Sequence, residues 1–369
     1  MSLLCQGEEG TDISVTTLKG AFGLGPQVAK GTAGTTYYWY PVFNSDYGVV
    51  NDERPFPQEV RGLLWPTGAY RAGFFAAGGI DFAPRLFDDF MWILIAALGE
   101  NPVTSVDTPV VGVNRHRWTI DGSEDVLPWS TVHLIVPGAT ADLGIIGLDN
   151  RAAMMRFQLP QSGYLTGRLD LLGRLATDIT NTIFVESPSG AGWTTSFEDF
   201  TTVPVSAKGG VIVAGLNGGA EIPVTGWTIE VANGLTTPQQ EMRIGSYFPD
   251  DFTAIAKTVT VRTILKWDEA DIYQTIITGT AAGTALTEST FEGQATIEVQ
   301  APGNITGTTP YELEIVAPNV LWQISNPRLA GAGLLQVELT GTVIKLGTDN
   351  VLQVDAFTGE GDAGYAWPT

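Results

Sequence analysis

Short runs in which apolar and polar residues alternate recur along most of this chain. Tyr311, Leu313 and Ile315 alternate with Glu312 and Glu314, and Leu335, Val337 and Leu339 alternate with Gln336, Glu338 and Thr340. Val259 and Val261 stand against Thr260 and Arg262, and Leu165, Leu169 and Leu171 against Thr166, Arg168 and Asp170. Successive side chains of a strand point to opposite faces, so this period of two, bounded by Gly, Pro, Asn and Asp, predicts short strands. One-sided alternation further predicts antiparallel sheets with one packed face.

Two segments break the rhythm. The run from Asp81 to Gly99 predicts a helix near 84–98: Pro84 suits an early helical position, Asp88 and Asp89 crowd the first turns, and Gly99 can take the left-handed cap. Lys266 to Gly279 predicts a second helix near 268–278, with Asp268 as N-cap. The expected fold class is mainly β with two short helices.

The helices occupy equivalent places in a repeated order. A strand precedes each (Ala72–Ile80, then Ala256–Arg262), and a closing strand follows each (Gly167–Gly173, then Leu335–Gly341). Such an order predicts an internal duplication of one β-plus-helix unit. Residues 181 to 220, rich in Ser, Thr, Gly and Pro, place the boundary near 200. The expected division is an N-terminal arm at 1–35, a first unit at 36–200, a second at 201–346 and a C-terminal arm at 347–369.

Composition narrows the function. Apolar residues make up 44% of 369, enough for a core, but charged residues reach only 16%, which suits broad β surfaces buried against other subunits. The net charge of −21 repels phosphate and argues against a protein that grips nucleic acid. Cys5 is the sole cysteine, so neither a disulfide framework nor a thiolate metal cluster is available. No secretion signal is visible, and the longest apolar stretch, Met91–Leu98, is too short to span a bilayer. These features fit a protein assembled in a cytoplasm.

Candidate chemistry has simpler accounts throughout. His116 and His133 cannot build a three-histidine zinc site, and structural roles account for both. The acid pairs Asp88–Asp89 and Asp268–Asp271 read as helix starts rather than acid and base, and Asp250–Asp251 as a solvated turn. Gly23-Leu24-Gly25-Pro26 lacks the Lys-Ser or Lys-Thr of a phosphate loop, and Gly359-Glu360-Gly361-Asp362 lacks the spaced ligands of a calcium loop; both read as flexible glycine segments. Asn304-Ile305-Thr306 is a formal sequon only. Arg115 and Arg117 are expected to partner carboxylates. No catalytic, cofactor-binding or metal-ligating residue is assigned.

The ordered series Gly31–Tyr38, Pro66–Arg71, Ala76–Asp81, Met91–Gly99, His116–Thr119 and Leu127–Ser130, with the later strands around 259–264 and 335–343, resembles the tail tube proteins of long-tailed bacteriophages. The resemblance implies β-sandwich or barrel units, each with a flanking α-helix. It also implies subunits that pair strand edges into rings, and rings that stack into a DNA conduit in the virion tail. Partners implied are other copies of the chain, a tape measure protein and a tail terminator, with DNA passing the lumen unbound and no membrane. If the chain is duplicated, three chains make a pseudo-hexameric ring. Asp170 and Glu338, on the polar faces of corresponding strands, are the lumen-facing candidates. The competing readings are a β-rich carbohydrate or cell-surface binding module, for which Trp193 and Trp367 are candidate groove residues, and a polysaccharide-cleaving enzyme, which needs two facing carboxylates.

Overall fold

The computed structural model describes residues 20–34, 37–56, 68–86, 88–106, 110–122, 127–136, 143–180, 210–267, 270–327 and 335–359. Cys5, Trp193, Asp268, Glu360, Gly361, Asp362, Trp367 and the expected boundary near 200 lie outside these residues, as do the side chains of Asp88 and Asp89.

The first half of the chain contributes β1 (Ala21–Pro26), β2 (Tyr38–Tyr40), β3 (Val42–Ser45), β4 (Gly48–Pro55) and β5 (Ala69–Phe82). After helix α1 (Asp88–Leu98) come β6 (Val103–Val106), β7 (Asn114–Ile120), β8 (Ser130–Val136), β9 (Leu143–Leu159) and β10 (Thr166–Thr180). The second half contributes β11 (Val211–Val213), β12 (Glu221–Ile222), β13 (Val224–Ala232), the short helix α2 (Pro238–Glu241) and β14 (Thr258–Lys266). Helix α3 (Asp271–Thr278) then leads to β15 (Phe291–Thr306), β16 (Thr309–Ile324), β17 (Gln336–Val343) and β18 (Leu352–Thr358).

All the strand pairings are antiparallel. In the first half the spatial order is β4-β5-β10-β9-β8, with α1 following β5. In the second it is β13-β14-β17-β16-β15, with α3 following β14. The two series meet where Met154–Leu159 of β9 pairs with Trp227–Ala232 of β13.

The alternation seen in the sequence sets which side of this sheet is core. Leu169 and Leu171, Met155 and Phe157, Trp227 and Ile229, Val259 and Val261, and Val337 and Leu339 are all buried on one face. Leu313 and Ile315 are buried as expected, whereas Glu312 and Glu314 are half-buried rather than fully out in water.

Three expectations about the helices need correction. The first helix begins at Asp88, four residues beyond Pro84, because Pro84 and Leu86 are buried in an irregular segment that carries β5 into the core; tertiary burial overrides local helix preference. That helix is enclosed rather than flanking: Phe90 to Leu98 are all buried, as a helix apolar on every side requires. Its end is as read, with Gly99 at φ 88 and its N–H donating to Ile95 O. The N-cap of α3 is Ala270, in an αR conformation, and Asp271 supplies the first-turn acid; Gly279 closes it at φ 83.

The segments expected as arms contain structure. Residues 21–26 form β1, hydrogen-bonded on both edges, to β2 and β8, with Phe22 and Leu24 fully buried. The stretch Gly23-Leu24-Gly25-Pro26 is therefore a core strand, not a flexible segment, and a side chain at Gly23 would press on the Trp39 ring at 3.2 Å. Leu352–Thr358 forms β18, strapped between β16 of the second half and β7 of the first.

Candidate assembly surface

Opposite the core face, the sheet presents a polar face. Asp81 of β5, Arg168 of β10, Arg156 of β9, Glu230 of β13, Thr260 of β14 and Thr342 of β17 stand in one cross-strand row. Because side chains repeat every second residue, Asp170 and Glu338 fall on this same face, four strand steps apart. Both stand on the polar side of their strands, as the alternation predicts, and β10 and β17 do not pair with each other.

Of the two arginines in this row, Arg168 is locally neutralised. Arg168 reaches Asp170 at 2.8 Å, Asp46 at 2.9 Å and Asp81 at 3.2 Å. Asp46 also accepts from Gly79 N at 2.6 Å, and that hydrogen bond holds its carboxyl below the usual range. Toward β16 the balance reverses. Glu298 faces Glu314, Glu314 faces Asp355, and Asp355 faces Arg117 across consecutive strands. Asp355 takes a two-pronged bond from Arg117 at 2.7 and 2.5 Å, the carboxylate partner expected for that residue. Burial, with the neighbouring Asp355 and Glu298 carboxylates, raises the Glu314 pKa; burial also raises that of Glu312, which accepts from Gln300 at 2.9 Å.

A second polar cluster binds the β13–β14 loop to the first half. Asp251 takes the Arg151 guanidinium at 3.3 Å and the Trp129 Nε1–H at 3.2 Å, while Asp250 pairs with Lys30 at 3.4 Å and with Arg243. The expected solvated turn at Asp250–Asp251 is therefore a bridge between halves. Asp149, Arg151 and Arg174, at its centre, carried no signal in the sequence, because their partners lie up to 122 residues away in the chain.

The two histidines are on strands that do not pair with each other. His116 is fully buried, with Nδ1 3.0 Å from Thr104 Oγ1 and Nε2 3.1 Å from Thr358 Oγ1. His133 lies under the Tyr37 ring, with centroids 3.7 Å apart, and burial pushes its pKa down to about 4. Asn304 closes the β15–β16 turn by donating to Gly307 O at 2.9 Å. Among the described residues no group of three or more His, Cys, Asp or Glu is arranged to hold a metal ion, and no helix is long and apolar enough to cross a membrane.

Compared with known protein families, residues 57–343 match the model of the phage tail tube protein. The chain belongs to the phage tail tube protein family. None of the curated proteins compared with it matches. A tail tube protein is a structural component of the virion tail and not an enzyme.

Proposed function

We propose that this tail tube protein polymerises into stacked rings, each made of three chains, and that one chain supplies two copies of the same ring-building unit. The carrying observation is the repeated strand order: β4-β5-β10-β9-β8 with its helix after β5, and β13-β14-β17-β16-β15 with its helix after β14. We place the units at 36–200 and 201–346, with β1 added to the first and β18 tying the two together. The β9–β13 pairing joins them head to tail. Repeating a head-to-tail joint between chains generates a ring wherever the rotation closes, and it also pairs edges that would otherwise invite aggregation.

In this reading the polar face lines the channel. Asp81, Asp170, Glu230, Glu312, Glu314 and Glu338 there outnumber Arg156, Arg168, Arg262 and Lys266. A wall on which carboxylates outnumber cations, with Arg168 held by three aspartates, offers DNA little counter-charge, so DNA passes without adhering. Tape measure and terminator proteins are the partners this role calls for, and assembly in the host cytoplasm is the route it implies.

Negative-stain electron microscopy of the purified chain over a concentration series tests the proposal. Rings or hollow tubes are expected. A chain that remains monomeric at every concentration contradicts it and favours a binding module.

A further inference from the structure

An asparagine followed by glycine is open to loss of its side-chain amide, because glycine has no side chain to keep its backbone nitrogen from the neighbouring carboxamide carbon. The chain has two such pairs, Asn217-Gly218 and Asn233-Gly234. The fold treats them in opposite ways. Asn233 is fully buried, and its Nδ2 donates to Ala97 O and to Ala152 O, both at 2.9 Å. Its backbone N–H donates to Ala153 O at 2.9 Å. Gly234 is fixed as well: its carbonyl accepts from Ile255 N at 2.9 Å, and a side chain there would collide with the Ala256 carbonyl. Neither the carboxamide nor the backbone that would have to swing toward it has room to move.

Asn217 stands in the turn between β11 and β12, and it is exposed together with Gly218, Gly219 and Ala220. Its φ is 46, and those of Gly218 and Gly219 are 63 and 81. Asparagine tolerates this left-handed region, but no buried neighbours hold Asn217 there as they hold Asp149. Its Nδ2 donates to Glu221 O at 2.6 Å, inside the same turn. Gly219 N and Ala220 N are held by Leu216 O and Asn217 O. Gly218 N, the atom placed to attack, donates to no carbonyl among the described residues. Nothing lies within 4 Å of a Cβ built on Gly218 or Gly219, so this turn can reorganise without displacing a neighbour.

We propose that Asn217 is a site of spontaneous deamidation, and that the fold protects Asn233 from the same reaction. Gly218 N attacks Asn217 Cγ and forms the new C–N bond of a succinimide. The Cγ–Nδ2 bond breaks, and Nδ2 leaves as ammonia with the proton that Gly218 N gives up. Water then opens the ring at either carbonyl, leaving aspartate or isoaspartate at position 217. Either product places a new negative charge in the turn that Glu221 follows. Isoaspartate also lengthens the backbone of a turn whose strands are joined only through Val211 with Ile222 and Ile212 with Glu221. The margin of the sheet beyond β15, where β11 pairs, is therefore the part that such ageing loosens. This chemistry does not depend on ring formation.

Peptide mapping of the full chain by mass spectrometry, after incubation in mild alkali, tests this. Native and urea-unfolded samples are held for the same period. A gain of about 1 Da in the peptide bearing Asn217 reads either product, and labelling by an isoaspartyl methyltransferase identifies the isoaspartate. In the folded chain, conversion at Asn217 is expected to exceed that at Asn233 by more than about tenfold. In urea the two rates are expected to converge, because unfolding removes the bonds that hold Asn233. Comparable conversion at both positions in the folded chain overturns the assignment. So does a folded chain in which Asn217 stays intact while the unfolded chain loses its amide there.

Discussion

Arg174 Nη1 donates to Asp149 Oδ2 at 3.0 Å, and Asp149 is fully buried with a backbone φ of 54. The same carboxylate accepts from Gly31 N at 2.6 Å and from Gln27, while Arg174 reaches on to Pro249 O at 3.1 Å and lies over the Phe248 ring. One ion pair therefore fixes β9, the segment after β1 and the loop of the second half. An aspartate in the left-handed region persists only where its surroundings over-determine it.

Removing the cation strands a buried charge. Arg174→Leu is expected to destabilise the chain by about 3–5 kcal/mol, the usual cost of breaking a buried pair from one side. Urea unfolding measures it. A loss below about 1 kcal/mol contradicts the assigned role.

The acidic row predicts a pH effect of definite sign. A raised Glu314 pKa means that the native state holds the proton more tightly than the unfolded chain does. Stability from this group is complete below the ordinary glutamate range and is lost as pH rises through the raised folded value. Glu314→Gln is expected to stabilise by about 0.2–1 kcal/mol at neutral pH, the scale of cross-strand charge pairs, and to have little effect in acid. Unfolding midpoints at the two pH values decide; equal differences at both contradict it.

His133 works in the other direction. Its pKa is pushed down from 6.5 to about 4 by burial, so between those values the unfolded chain binds a proton that the native state refuses. Stability therefore falls as pH drops through that window, by at most about 1.4 kcal/mol per pH unit from this group. His133→Phe is expected to flatten the thermal midpoint between pH 6.5 and 4. An unchanged slope contradicts the assignment.

How much of this could be read beforehand depends on where the polar phase of the pattern survives. In β13, β14, β16 and β17 the residues Ile229, Val259, Val261, Leu313, Val337 and Leu339 each stand between polar neighbours, so strand, face and packed side follow from the alternation there. β1 is hard to read because Gly23 and Gly25 take the positions that alternate with Phe22 and Leu24, leaving no polar phase to see. β18 keeps its alternation, Leu352, Val354 and Ala356 against Gln353 and Asp355, but its nearness to a Gly-rich end masked it. The enclosure of α1 was available in principle, since Met91 to Leu98 is apolar on every side. The buried cluster around Asp149 was not, because ion pairs between distant residues leave no local pattern.

Asn233, just after β13, ties the second half of the chain to α1 and β9. Its Nδ2 donates to Ala97 O and to Ala152 O, both at 2.9 Å, from a fully buried position. Asn233→Ala leaves both carbonyls unsatisfied, and a loss of about 1–3 kcal/mol is expected in chemical denaturation. A neutral result contradicts its place as a link between the second half of the chain and α1.

Native mass spectrometry of the smallest ring-forming species tests the central claim most directly. A chain that supplies two units to each ring predicts an assembly of three chains. An assembly of six intact chains in one ring contradicts it.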